Sequence, residues 1–122
     1  MQTRTERRQT ARARTPDTLR MSLPGLSDAR VQNLSTAGVC CTTERPLPLL
    51  AVVQVTFLLP SAGSTCEVTC TGAVVRCVKS GPGDRAGAPA YESAIYFTEV
   101  DDADRTAIEE YVSSLRRAGH VA

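Results

Sequence analysis

Five arginines fall within the first fourteen residues: Arg4, Arg7, Arg8, Arg12 and Arg14, with Glu6 the only acidic residue among them. That segment sums to +4, so the remainder sums to −3 in a chain of formal net charge +1. A guanidinium carries a rigid planar fork of donors. It pairs bidentately with a phosphate or with the O6 and N7 edge of guanine, and its plane stacks on a base. Arg8 and Arg12 stand four residues apart in RRQTAR, a stretch with no apolar run beside it. A basic arm of this kind points to an anionic partner; the plainer reading is a solvated tail.

A second group of polar residues follows in NLSTAG, Asn33 to Gly38. Asn33 and Ser35 straddle Leu34, so on a strand they share one side while Leu34 turns to the core. Gly38 permits a turn or a close backbone approach that a Cβ would block. An amide and a hydroxyl would then be presented at the mouth of a β structure. The alternative is a plain turn, for which Asn, Ser and Gly are common residues.

Other chemistry has less support. Cys40, Cys41, Cys66, Cys70 and Cys77 include no CxxC pair, so no structural zinc site is expected. Cys66 and Cys70 share a strand face with Val68, the pattern of small buried hydrophobes. An odd thiol count without a secretory signal suggests a reducing compartment and no disulfides. His120 lies near the C-terminus and offers no Cys–His nucleophile. The acidic group Glu99, Asp101, Asp102 and Asp104 is accounted for by the start of a helix, whose dipole favours negative charge. No catalytic residue, metal or cofactor is assigned.

The elements that must position these residues are mostly strands. The chain has 122 residues, enough for one domain, with 42% hydrophobic and 4% aromatic residues, so its core must be aliphatic. Strand signals occur at Thr18–Leu23, Ala29–Leu34, Gly38–Thr42 and Val53–Leu59. Thr65–Thr71 follows, is extended by GAVVRCVK with a bulge at Gly72, and YESAIYFTEV comes last. Ser80 to Ala90 reads as a flexible loop. Ile108, Tyr111, Val112 and Leu115 then recur at helical spacing. Asp101 or Asp102 stands at the start of that helix and Gly119 at its C-terminal cap. Closely spaced strands followed by one helix predict a small antiparallel barrel plugged or flanked by that helix. The expected organisation is a flexible basic arm over residues 1–17, a barrel with its helix over 18–117, and a tail over 118–122. No membrane span is expected, because the most apolar run, Leu47 to Leu59, is short and interrupted. The Arg-rich start lacks the apolar face of a transit peptide.

Taken together, RRQTAR, NLSTAG about twenty residues later, and the strands and helix that follow resemble the PilZ domain. That family carries RxxxR in an N-terminal arm and (D/N)xSxxG on the barrel. Here these read Arg8-Gln9-Thr10-Ala11-Arg12 and Asn33-Leu34-Ser35-Thr36-Ala37-Gly38. The resemblance implies a six-stranded antiparallel β-barrel with a C-terminal helix. It also implies a cytoplasmic bacterial receptor that binds the second messenger cyclic di-GMP and regulates an effector protein. It implies that Arg8 and Arg12 hold phosphate and guanine, with Arg7 beside them, while Asn33, Ser35 and Gly38 shape the barrel side. Members with a basic residue before RxxxR resemble those that take a stacked pair of ligands. One departure is Ala94, in Ala94-Ile95-Tyr96-Phe97, where family members often have Gly-x-x-Phe. It favours the alternative of a PilZ-fold interaction module that does not bind the nucleotide. A third reading, a nucleic-acid-binding barrel, is opposed by the −3 balance outside the arm and the scarcity of aromatic stacking platforms. No DNA or RNA partner is expected.

Overall fold

The computed structural model describes residues 11–16, 19–24, 26–61, 63–82 and 89–120. Seven strands precede one helix: β1 (Arg12–Arg14), β2 (Arg20–Leu23), β3 (Leu26–Ser35), β4 (Gly38–Thr43), β5 (Val52–Ser61), β6 (Ser64–Pro82), β7 (Pro89–Glu99) and α1 (Asp102–Arg117). The strand order is β1-β3-β2-β5-β6-β7-β4, and a further β3–β4 pairing closes the circuit. The barrel is therefore six-stranded, antiparallel and closed. Closure of the six-strand circuit pairs β4 back to β3, so neither end of that circuit is left as an open edge.

Alternation along the strands decides which side chains fill the barrel. Val55, Phe57 and Leu59 of β5 are buried, as are Val68, Cys70 and Val74 of β6 and Ile95 and Phe97 of β7. The interior is mostly aliphatic. Phe57 and Phe97 add one edge-to-face contact, with centroids 6.4 Å apart and planes at 75°. Two glycines admit β7 between its neighbours. A Cβ on Gly38 would overlap the Ile95 carbonyl oxygen, and one on Gly72 would lie 2.7 Å from the Tyr96 carbonyl oxygen. A register shift between Thr71 and Gly72 marks the expected irregularity there.

α1 buries Ile108, Tyr111 and Val112 and packs against β1, β3, β5 and β6. Asp101 is its N-cap but makes no side-chain capping bond; Asp102 and Asp104 supply negative charge to the first turn. The C-terminus closes in a Schellman motif. Gly119 has φ +96, its N–H donates to the Arg116 carbonyl at 3.0 Å, and His120 N–H donates to the Leu115 carbonyl at 2.9 Å.

The structure differs from the expected organisation over residues 1–17. Residues 11–16 form part of the barrel wall. β1 lines up with β3 as Arg12↔Ser35, Ala13↔Leu34 and Arg14↔Asn33, and β2 continues along the same edge as Arg20↔Arg30 and Met21↔Ala29. Ala13 is fully buried, and Thr15 Oγ1 donates to the Val31 carbonyl at 2.7 Å. A short side chain at Ala13 and a satisfied hydroxyl at Thr15 let a polar segment enter the wall without a hydrophobic run to announce it. Arg7 and Arg8 lie outside the described residues. The Ser80–Ala90 loop is shorter than expected at both ends, since β6 reaches Pro82 and β7 begins at Pro89.

Candidate functional site

Asn33, Ser35 and Gly38 are held by the β3–β4 turn. Leu34 is completely buried, as alternation requires, but Ser35 is completely buried as well. The reason lies in its hydroxyl. Ser35 Oγ accepts from the backbone N–H of Ala37 at 3.1 Å and of Gly38 at 3.2 Å. It also stands 3.4 Å from the Gly38 carbonyl as donor. Ser35 thus ties the turn together instead of presenting its hydroxyl outward. Gly38 then begins β4 where no side chain fits beside Ile95, and Phe97 N–H donates to the Ala37 carbonyl at 2.8 Å.

Asn33 reaches the outer surface by another device. Between Val31↔Cys41 and Asn33↔Cys40 the β3–β4 register shifts by one residue, leaving Gln32 as the extra residue. Gln32 Nε2 donates to Thr42 Oγ1 at 2.7 Å. Asn33 is half-buried, and its Oδ1 accepts from the Arg12 Nη1 donor. Residues from the two sequence motifs, 21 positions apart, therefore meet side chain to side chain. The contact leaves the remaining guanidinium donors and the Asn33 amide NH2 in the chemical inventory of one surface. That surface offers donors, as phosphates and the acceptor edge of guanine require.

β1 is fixed from its other side by α1. Arg116 Nη1 donates to the Arg12 carbonyl at 2.9 Å, and Arg14 N–H donates to the His120 carbonyl at 3.2 Å. His120 is half-buried with its carbonyl engaged. The site therefore rests on β1, β3 and β4 and is braced by the end of the helix.

The outer face continues across β4, β7 and β6. Cys40 and Ala94 are half-buried residues lying opposite each other, and Gly38 lies opposite Tyr96, which is 57% exposed. Ala94 does not disturb the strand crossing. β7 pairs with β4 and β6 on either side of it, and the glycines that the crossing requires are Gly38 and Gly72. Sequence reasoning did not collect Arg14 and Tyr96 onto this surface. Their signal is cross-strand register, which no single segment reveals.

Two of the five thiols, Cys41 and Cys70, are held in the barrel interior. Cys41 and Cys70 are buried, and burial is the main cause that pushes each thiol from 9.0 up to about 12. Neighbouring Cys40 and Cys77 add to the shift at Cys41. Asp104 adds to it at Cys70, partly opposed by Arg105. All five cysteines are free. Among the described residues no group of three or more His, Cys, Asp or Glu is placed to hold a metal ion. Glu99, Asp101 and Asp104 line a separate polar cavity with Thr69, Thr71 and Thr98, and Thr69 N–H donates to Asp104 Oδ2 at 3.4 Å. No described helix is long and apolar enough to cross a membrane.

Comparison with known proteins identifies the fold and the family. No curated protein matches the sequence significantly. The fold is similar to the Bacillus subtilis inhibitor of motility MotI/DgrA, with a TM-score of 0.72 and 17% identity over 93% of this chain. The chain spans 53% of that protein's length. It is also similar to the PilZ domain of Escherichia coli YcgR, solved with c-di-GMP, with a TM-score of 0.61 and 15% identity. That match covers 92% of this chain and 93% of the other. The family model of the PilZ domain matches residues 4–114, nearly the whole sequence, and the chain belongs to the PilZ domain family.

Proposed function

We propose that this chain is a cyclic di-GMP receptor that signals through a partner protein and catalyses no reaction of its own. The observation that carries the reading is the contact between Arg12 and Asn33, which joins the two family motifs at one surface. Arg7, Arg8 and Arg12 supply guanidinium forks to phosphate and guanine, and Asn33 supplies a neutral donor and acceptor. Ser35 and Gly38 contribute shape, by closing the turn and by bringing β4 against β7. Binding redirects Arg12 donors from Asn33 toward the ligand. Because β1 also touches α1, the change reaches the helix end, where a partner could sense it.

The likeness to an inhibitor of motility and to a c-di-GMP-bound PilZ domain supports a motility-type output in the bacterial cytoplasm. The alternative, an interaction module without nucleotide, is favoured by one departure: Ala94 stands where family members often have glycine. Calorimetric titration separates the two. The receptor binds cyclic di-GMP, ignores GTP and single-stranded RNA, and loses affinity in an Arg8→Ala, Arg12→Ala double variant. Undiminished affinity in that variant would exclude the assigned site, and no binding by the wild type would exclude the receptor reading.

A further inference from the structure

We propose that Arg76, on the outer face of β6, forms the far wall of the cyclic di-GMP site and reads the O6 and N7 edge of a bound guanine. This inference rests on the receptor reading above. Cα partners run in one transverse line across five strands. Arg76 lies opposite Ala94, Ala94 opposite Cys40, Cys40 opposite Asn33, and Asn33 opposite Arg14. Neighbouring strands stand about 4.8 Å apart, so Asn33 and Arg76 are three steps, or roughly 14 Å, from each other.

The residues of this line share the outer face. Cys40 lies between buried Val39 and Cys41, and Ala94 lies between buried Ser93 and Ile95, so both point outward. The β6 register shifts between Val74 and Arg76, which sets Val75 and Arg76 together against Ala94; both are exposed. The result is a floor of two small side chains, bracketed by Asn33 and Arg12 on one side and by a guanidinium on the other. Gly38 and Tyr96 flank that floor one step further along β4 and β7. A flat ring can lie on such a floor, because neither Cys40 nor Ala94 projects far from the sheet.

Arg76 also supplies selectivity. Its two-pronged fork matches the two acceptors of guanine, whereas adenine presents an amino donor beside N7 and opposes one prong. A lysine in its place offers a point charge without the fork.

The test measures affinity of the full chain for cyclic di-GMP and cyclic di-AMP, in wild type, Arg76→Ala, Arg76→Lys and Arg12→Ala. Arg76→Ala lowers cyclic di-GMP affinity at least tenfold and cyclic di-AMP affinity much less, Arg76→Lys restores little, and the melting temperature is unchanged. Wild-type affinity in Arg76→Ala, with a clear loss in Arg12→Ala, overturns this proposal and leaves the receptor reading standing. Equal losses for both dinucleotides with full rescue by lysine also overturn it, by showing a general charge effect. A wild type that binds no cyclic di-GMP removes the receptor reading and this proposal with it.

Discussion

Gly38 and Arg12 serve the proposed site differently, and substitutions separate the two contributions. A Cβ at Gly38 meets backbone, which cannot swing aside, so β4 must part from β7. Gly38→Ala is expected to cost about 1–3 kcal/mol in urea unfolding, the range for overpacking. Any accompanying loss of ligand affinity then reports a displaced strand. Arg12→Ala removes one exchangeable partner of Asn33 and leaves the buried Ala13 and Thr15 in place. It is expected to lower stability by only about 0.5–1.5 kcal/mol. Cyclic di-GMP affinity should fall by more, about 1.5–3 kcal/mol, because the lost bond is charge-assisted. Calorimetry and urea melts on the same samples check both. Leu50 is a different case. A bond of 3.2 Å from Ala51 N–H to the Pro48 carbonyl closes a turn that places Leu50 at φ +66, where glycine is usual. The turn is held against β6 by Leu50 N–H to the Val74 carbonyl at 2.7 Å, while the side chain is 77% exposed. Leu50→Gly relieves the strained backbone without emptying any core space. It is expected to stabilise the chain by up to about 1 kcal/mol, the rest being lost to the entropy of glycine.

Strands β4 and β6 carry the buried thiols, and these make the barrel sensitive to alkali. Cys41 and Cys70 ionise near 9.0 when exposed and only near 12 when folded. The unfolded chain therefore releases these protons first. The contribution of both thiols is complete below pH 9 and is lost as pH rises from about 9 toward 12. Urea midpoints measured from pH 7.5 to 10.5 should fall, and less steeply in a Cys41→Ala, Cys70→Ala variant. β5, β6 and α1 were legible in the sequence because each repeats a period: alternate burial in Val55, Phe57 and Leu59 and in Val68 and Cys70, or helical spacing in Ile108, Tyr111 and Val112. β1 was not, because its pairing with β3 is decided by backbone bonds and by two small buried side chains, Ala13 and Thr15. The close approach at Gly38 was legible through glycine's steric freedom, and the outward place of Asn33 through its position beside Leu34. The burial of Ser35 was not, since alternation alone leaves it exposed and only the hydrogen bonds of the turn engage and cover its hydroxyl.

At the scale of the whole molecule, charge separates the N-terminal segment from the barrel it joins. The first fourteen residues carry +4 and the rest −3. A dinucleotide bound beside Arg12 would bring two phosphate charges to this seam, and a stacked pair would bring four. Their mutual repulsion must be paired or screened. Arg8 and Arg12 provide two positive charges, and Arg7, immediately before the RxxxR motif, adds a third with a flat surface for stacking on an exposed guanine. The stacked pair is therefore the expected stoichiometry: two cyclic di-GMP molecules per chain, bound less tightly as salt rises. In Arg7→Leu the third charge and the stacking plane are lost while Arg8, Arg12 and Asn33 remain, so the ratio should move toward one without loss of all binding. Calorimetric titration of protein of known active fraction, at two salt concentrations, reads the ratio directly. One ligand per chain in both the wild type and Arg7→Leu would rule out the pair and assign Arg7 to general attraction, while the single-ligand site built on Arg12 and Asn33 would stand.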